Sequence, residues 1–165
     1  MRIINTDTII DNIKEMCIEA NYVLSEDVSE RIEKAAGSEE NEIGRRILEQ
    51  LVQNMDIAKK DNIPICQDTG MTTVFMKIGQ DVHIEGMLIE DAINEGIKRG
   101  YEEGYLRKSV VGDPLERINT KDNTPGIIHY EIVAGDKIDI TVAPKGFGSE
   151  NMSRVYMLKP ADGEE

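Results

Sequence analysis

The sequence predicts an α+β fold, with a helical N-terminal layer packed on mixed β-strands. Two observations predict this class. Apolar residues recur every three or four positions over residues 1–60, which is typical of amphipathic helices. From Ile65 onward the period changes, and β-branched runs bounded by glycine indicate strands. At 165 residues we expect a single domain over 1–165, helical over 1–60, mixed over 61–158 and ending in a linker-like tail at 159–165.

The first 60 residues are expected to form three helices. The first begins at a cap supplied by Asn5 or Thr6. The second begins at Ser25 and ends at Gly37, where glycine suits a left-handed C-terminal cap. The third, over 42–59, has the most regular apolar stripe, which something must cover. The apolar faces are Ile9, Ile13, Cys17 and Ala20 in the first helix, Val28, Ile32 and Ala35 in the second, and Ile43, Ile47, Leu51 and Met55 in the third.

A strand over 72–78 and a helix over 89–101 are expected next. Small residues four positions apart line one face of this helix, namely Ala92, Gly96, Gly100 and Gly104. Because helix propensity alone would not select glycines, we expect this face to be a candidate for close packing against a partner. Two further strands, over 126–134 and 137–143, flank the two-residue turn Gly135-Asp136, which predicts a β-hairpin.

Composition excludes several classes of function. The chain has 19 Lys and Arg against 32 Asp and Glu, a net charge of −13, so nucleic acids and membrane surfaces are poor partners. No segment is apolar enough to cross a bilayer. The two cysteines, Cys17 and Cys66, cannot make a disulfide framework, and with no apolar secretory stretch we expect a reducing, cytoplasmic location. Small ligands remain as partners.

The segment Cys66-Gln67-Asp68-Thr69-Gly70 follows a proline-ended loop and precedes a strand. A thiol, an amide and a carboxylate should therefore gather at a strand end, where Gly70 bends the backbone. The alternative is a turn preceded by a buried cysteine, and the local sequence favours neither interpretation. Cys17 lies on an apolar helix face and is predicted to pack in the core.

A second candidate combines Arg107 with the polar loop 119–126. Arginine offers a planar fork for a carboxylate, and the short polar side chains of the loop fix an irregular backbone. For Lys108 a solvated surface charge is the better interpretation, and for His129 a structural role on its strand. The glycine-rich segment 145–149 can present N–H groups to an anion, but it lacks the spacing of a nucleotide-binding loop.

Five ordered motifs over residues 65–151 resemble the α, or N-terminal, part of the iron-sulfur fumarate hydratases and L-tartrate dehydratases. They are Ile65-Cys66-Gln67-Asp68-Thr69-Gly70, Leu106-Arg107-Lys108-Ser109 with Asp113-Pro114-Leu115, Asn119-Thr120 with Asp122-Asn123-Thr124-Pro125, His129, and Lys145-Gly146-Phe147-Gly148-Ser149-Glu150-Asn151. The helices that precede the motifs fit this family and many others. Where the family often has another glycine in the last motif, this chain has Phe147.

The resemblance implies a hydro-lyase that adds water to, or removes it from, a small dicarboxylate, with a 4Fe-4S cluster whose fourth iron is open. It makes Cys66 the first cluster ligand. It also makes Gln67 and Asp68 catalytic residues that contact the hydroxyl end of the substrate, and it makes Arg107 the clamp on a substrate carboxylate. The remaining substrate-binding positions that it implies are Lys145, Gly146 and Gly148.

The sequence departs from this family in its cysteines. The cluster needs three thiolates, and the chain has Cys66 and Cys17, of which Cys17 matches no ligand position. The resemblance places the other two ligands, and the β subunit or C-terminal domain that abstracts the proton, outside these residues. We therefore expect a shortened α subunit of an oligomer, inactive alone, acting on either fumarate or tartrate. The alternative is a non-catalytic binding or assembly module that keeps the dicarboxylate pocket or the subunit interface.

Overall fold

The computed structural model describes residues 1–163, of which 149 and 150 are described by their backbone alone. It confirms the α+β class. In chain order the elements are β1 Arg2–Asn5, α1 Thr6–Tyr22, α2 Glu26–Ser38, α3 Glu42–Asp61, β2 Met71–Gly79, β3 Val82–Glu85, α4 Ile89–Glu103, β4 Ile127–Val133 and β5 Ile138–Lys145. Two short 3-10 turns follow at Gly148–Met152 and Pro160–Asp162, the second within the predicted tail. None of the helices in residues 1–163 is both long and apolar enough to span a bilayer.

Strands β2, β4 and β5 form the sheet that positions the site. Its order is β4-β2-β5, with β4 parallel and β5 antiparallel to the central strand. A separate two-stranded sheet pairs β1 with β3 in parallel. Val74 and Met76 on β2 are fully buried beneath the helices, whereas Phe75, which points to the other face, is 47% exposed. The three-stranded sheet therefore has one face in the core and one face open.

The predicted hairpin is wrong, although both of its strands exist. Strands β4 and β5 do not pair with each other, because β2 lies between them. The turn at Gly135 instead passes around the end of β2, where the N–H of Gly79 donates to the Lys137 carbonyl at 2.7 Å and that of Gln80 to the Val133 carbonyl at 2.8 Å. The turn residues specify a chain reversal, but they do not specify how many strands the reversal encloses.

Helices α1 and α4 form the layer that covers the inner face of the sheet. Their small-residue contact is very close, because a Cβ atom on Gly100 would lie 2.8 Å from the Cys17 Cβ, and one on Gly96 would lie 2.9 Å from the Ile13 Cβ. The glycine face of α4 thus packs on α1 within the chain, which corrects the expectation that a partner would cover it. The buried core cluster contains Ile9, Ile13, Cys17, Val74, Met76, Ile93, Ile97, Tyr101 and Leu106.

The helix boundaries agree with the sequence at two of the three predicted caps. Asn5, rather than Thr6, caps α1, and its side chain accepts from the Asp7 N–H at 2.8 Å. Ser25 precedes α2 as predicted, but α2 continues through Gly37 to Ser38. The prediction of a left-handed cap at Gly37 is therefore wrong. A left-handed residue does end α3, where Asn62 has a φ of 52°.

The apolar stripe of α3 stays uncovered by residues 1–163. Ile43 is 71% exposed, Ile47 53% and Leu51 45%. Helices α2 and α3 pack mainly on each other, so neither lies over the three-stranded sheet. The helical layer expected from the first 60 residues is consequently divided, with α1 on the sheet and α2 and α3 beside it.

Candidate functional site

Three chain segments meet beside the first residue of β2. The loop that contains Cys66 ends at Gly70, where a Cβ atom would lie 2.3 Å from the carbonyl oxygen of Lys145. The segment that follows α4 joins them, because the Thr69 hydroxyl donates to the Arg107 carbonyl at 2.9 Å. Between the Cys66 loop and the segment after α4 lies an open cavity of about 390 Å³. Its lining residues are Pro64, Cys66, Gln67, Thr69, Tyr105 and Arg107.

Cys66 is exposed at this cavity, so the interpretation as a buried cysteine is wrong. Its Sγ lies 3.5 Å from the Gln67 Oε1, to which the thiol donates, and accepts the N–H of Asp68 at 3.4 Å. The predicted residues Cys66, Gln67 and Arg107 are thus brought to one cavity, and the thiol is accessible from solvent.

Asp68 lies behind this lining and links the Cys66 loop to the segment after β5. One carboxylate oxygen accepts the N–H of Gly70 at 3.1 Å, and the other accepts the N–H of Phe147 at 3.1 Å. A Cβ atom on Gly146 would lie 3.0 Å from the second oxygen, a tight contact that shows how closely the loop approaches Asp68. Both oxygens of Asp68 therefore have a structural partner already, and the Phe147 N–H is engaged by Asp68.

The remaining predicted positions lie at the end of β5 and just after it. The ammonium group of Lys145 donates to the Gly146 carbonyl and lies 5.7 Å from the centroid of the Phe147 ring. A Cβ atom at Gly148 would meet nothing within 4 Å, so this glycine is at an open surface. None of Lys145, Gly146 and Gly148 belongs to the lining of the cavity. The side chains of the motif's next two residues, 149 and 150, lie outside the described structure.

Several residues that hold the site were not singled out as site residues from the sequence. Fully buried Tyr101 donates its hydroxyl to the Thr69 carbonyl at 2.6 Å, which fixes the loop from below. Burial raises the pKa of Tyr101, although hydrogen bonds with Thr72 and Asn21 oppose the shift. The group therefore stays a neutral donor at physiological pH. No local pattern distinguishes it from an ordinary core residue of α4.

Tyr105 is a second residue that the sequence did not reveal. It lines the cavity beside Arg107, is 91% exposed and has a φ of 50°. A positive φ is unusual for a bulky residue and turns the chain sharply after α4. Gly104 is a sequence signal for the end of α4. It does not indicate that the side chain of the next residue faces the cavity.

Other candidate residues lie away from the cavity. His129 is on the open face of the sheet, where its ring stacks on Phe75 at a centroid distance of 5.0 Å. This contact agrees with the structural role expected for it. Cys17 is fully buried in the core, and burial raises the pKa of its thiol to about 12. A larger cavity of about 590 Å³ lies between β1, α1 and β5, and its lining combines Arg2 with apolar, hydroxyl and amide side chains.

These positions do not make a complete iron-sulfur ligand set. No cluster of three or more His, Cys, Asp or Glu side chains within the described part of the chain is arranged to hold a metal ion. Cys66 has the exposure that a ligand needs, whereas Cys17 is enclosed between α1 and α4 as a thiol. Residues 1–163 therefore fit one thiolate ligand and not the three that a 4Fe-4S cluster requires.

An accessible thiol, an amide and a guanidinium therefore line one open cavity. Comparison with known proteins gives the family. The fumarate hydratase (fumerase) model matches residues 10–165. This chain belongs to the fumarate hydratase family, which confirms the resemblance seen in its motifs.

Individual relatives agree with this assignment. The chain is 42% identical over 163 residues to "Putative L(+)-tartrate dehydratase subunit alpha" of Methanocaldococcus jannaschii, covering 95% of this chain and 57% of that protein. It is 33% identical over 120 residues to the anaerobic class I fumarate hydratase of Escherichia coli, covering 72% of this chain and 22% of the enzyme. The L(+)-tartrate dehydratase α subunit of E. coli is 28% identical over 146 residues, or 86% of this chain and 48% of the subunit. The chain thus spans about half the length of the α subunits that it matches.

Proposed function

We propose that this chain is the N-terminal unit of a hydro-lyase α subunit that binds a small dicarboxylate such as fumarate, malate or tartrate. The observation that carries the proposal is the convergence of Cys66, Gln67 and Arg107 on one open cavity. The family assignment supports the reaction class, because its relatives include fumarate hydratases and tartrate dehydratases. Since both kinds of enzyme are among these relatives, the proposal covers both acids.

In this proposal Arg107 binds one carboxylate of the substrate through its planar guanidinium. Gln67 donates its amide N–H to the hydroxyl end of the same molecule. Asp68 supports this arrangement, because its carboxylate holds the Cys66 loop against the Phe147 segment. The predicted catalytic role of Asp68 then uses the lone pairs that its two backbone partners leave free. The proposal also assigns substrate binding to Lys145, Gly146 and Gly148, whose glycine-rich segment packs against Asp68 on the side away from the cavity.

Cys66 is the one residue of this chain that we assign to the iron-sulfur group of the family. We propose that the remaining thiolates come from a later part of the α subunit, and that the proton-abstracting residue comes from the β subunit or C-terminal domain of the oligomer. The α-subunit names of two relatives support such a partner. We propose accordingly that the isolated chain has no hydratase activity. A reducing, cytoplasmic location suits the two free cysteines.

The dicarboxylate site is tested by Arg107→Ala. Titration of the labelled chain with L-malate and with L-tartrate, followed by NMR, should show affinity falling at least about tenfold, since a charge-assisted hydrogen bond is lost. Arg46→Ala is the matched control: it removes the same charge from α3, where Arg46 pairs with Glu42 in solvent. Equal affinities for wild type and Arg107→Ala would contradict the assignment of the clamp.

The iron ligand is tested by anaerobic incubation with iron, sulfide and excess dithiothreitol, which supplies the thiolates that the chain lacks. After desalting we expect wild type to retain iron with visible absorption, and Cys66→Ala to retain almost none. Cys17→Ala, which removes the buried sulfur, should behave as wild type. Iron retention that is equal in all three proteins would refute the ligand role of Cys66.

The alternative is a non-catalytic binding or assembly module. The finding that favours it is the single accessible thiol among residues 1–163. Such a module would bind L-malate or L-tartrate in an Arg107-dependent way, yet stay colourless in the iron experiment. The two experiments together therefore separate the alternatives.

A further inference from the structure

We propose that Asn123 is a positioning residue that fixes the spacing between the Cys66 loop and the Arg107 segment, and thereby sets the affinity for the dicarboxylate. This inference rests on the proposed function. It concerns a loop, 119–126, whose polar residues the proposed chemistry does not otherwise use. Asn123 touches neither the cavity nor a substrate atom, so its effect passes through the two segments that it joins.

The amide of Asn123 forms hydrogen bonds to both segments at once. Its Nδ2 donates to the Gly70 carbonyl at 3.0 Å. Its Oδ1 accepts the N–H of Ser109 at 2.9 Å and that of Val110 at 3.2 Å. Asn123 is fully buried, so no water can take over these bonds without a rearrangement. One planar side chain therefore sets the distance between the end of the Cys66 loop and the start of the segment after Arg107.

The backbone of the loop is shaped to present this amide. Asn123 has a φ of 64° and Lys121 a φ of 71°, a region in which asparagine is tolerated better than most residues. The carboxylate of Asp122 accepts both the N–H of Thr124, at 3.1 Å, and its hydroxyl, at 2.8 Å. Thr120 ties the other side of the loop to the Val110 carbonyl at 3.0 Å. The strained backbone is thus held in place on both sides of Asn123.

The spacing matters because the proposed ligand has two ends. Arg107 lies two positions before Ser109, and Gln67 lies three positions before Gly70, so the amide bridges the backbones that carry both binding groups. A dicarboxylate contacts both groups only if their separation matches its own length. A second link between these backbones, which is partly buried, is the direct bond from the Thr69 hydroxyl to the Arg107 carbonyl. Asn123 supplies the buried link.

The test compares Asn123→Gly and Asn123→Asp with wild type. Glycine tolerates the positive φ and removes the amide, whereas aspartate keeps an acceptor for Ser109 and Val110 and loses the donor to Gly70. We expect the affinity for L-malate or L-tartrate to fall about tenfold or more in Asn123→Gly, and at least as far in Asn123→Asp, whose buried carboxylate would face the Gly70 carbonyl. The amide protons of Ser109 and Val110 should exchange with solvent faster in the glycine variant alone.

Asn94→Ala is the matched control for loss of a bridging amide. Asn94 on α4 accepts the Gly126 N–H at 2.9 Å and so tethers the same loop without touching either site segment. We expect a similar fall in stability, with an affinity within about twofold of wild type. If Asn94→Ala weakens binding as much as Asn123→Gly, or if Asn123→Gly binds like wild type, the inference is overturned.

The design also separates this inference from the proposed function. If wild type binds neither acid, or binds them as well as Arg107→Ala does, the proposed function is refuted, and there is no Arg107-dependent affinity for Asn123 to set. Wild type that binds in an Arg107-dependent way, together with an unchanged Asn123→Gly, leaves the function standing and refutes the inference.

Discussion

Replacing Gly70 by alanine is expected to lower the free energy of unfolding by about 3–5 kcal/mol, the sum of an unfavourable backbone conformation and a steric overlap. Gly70 has a φ of 67°, and its added Cβ would lie 2.3 Å from the Lys145 carbonyl oxygen and 2.7 Å from the Gly146 nitrogen. Neither atom can withdraw easily, because Met71 and Lys145 are paired in the sheet. The midpoint of thermal unfolding, followed by circular dichroism, should fall by roughly 10 °C.

Gly135→Ala is the matched control for this substitution. Gly135 also has a positive φ, of 103°, but a Cβ atom there would meet nothing within 4 Å. It should therefore show the conformational cost alone, about 1–2 kcal/mol. The difference between the two variants measures how tightly the Cys66 loop and the end of β5 are packed together. Equal losses of stability in the two variants would mean that the Cys66 loop and the end of β5 separate readily. The Cys66 loop would then not be held in a fixed position.

Those parts of the fold that depend on local signals were predictable. The Asn5 cap, the start of α2 after Ser25 and the strand after Gly70 all follow from residues within a few positions of each boundary. The pairing of strands was not predictable in this way. The turn at Gly135 indicated a correct reversal, but β2, which inserts between the two strands, lies about 50 residues earlier in the chain.

The uncovered stripe of α3 shows a different limit. Its period of four predicted the helix correctly. An apolar stripe, however, does not show whether the residues that pack on it come from residues 1–163. The glycine face of α4 gives the opposite lesson, because its cover was α1 of the same chain. In both helices the sequence predicted a face suited to packing. Only the tertiary fold showed that α1 covers the face of α4 and that the stripe of α3 stays exposed.

The candidate site was predictable to the extent that its residues are adjacent in sequence. Cys66, Gln67 and Asp68 are neighbours, so the sequence alone indicates that a thiol, an amide and a carboxylate lie close together. The residues that hold them, Tyr101 and Asn123, contact this loop across 32 and 53 positions respectively. Neither residue type is unusual in its segment, and positive φ values cannot be read from single residues. Positioning residues therefore escape local reasoning even where the motif itself does not.

Iodoacetamide at about pH 8 is expected to modify Cys66 in the native protein at least about a thousandfold faster than Cys17, because Cys17 reacts only through rare opening of the fold. Cys66 is exposed, whereas Cys17 is fully buried between α1 and α4. Burial raises the pKa of Cys17 to about 12, so its thiolate, the reactive form, is scarce at pH 8. Mass spectrometry should count one modified thiol per native chain and two in denaturant.

Two variants distinguish the thiols in this experiment. Cys66→Ala should leave the native chain unmodified, and Cys17→Ala should still take up one label. Rapid labelling of Cys17 would show that α1 and α4 separate readily, contrary to packing so close that a Cβ atom on Gly100 would lie 2.8 Å from the Cys17 Cβ. Slow labelling of Cys66 would be more serious, because an iron-binding role requires a thiolate that solutes can reach. One labelling experiment therefore tests two claims. The proposed function requires a reactive Cys66, and the packing of the core requires an unreactive Cys17.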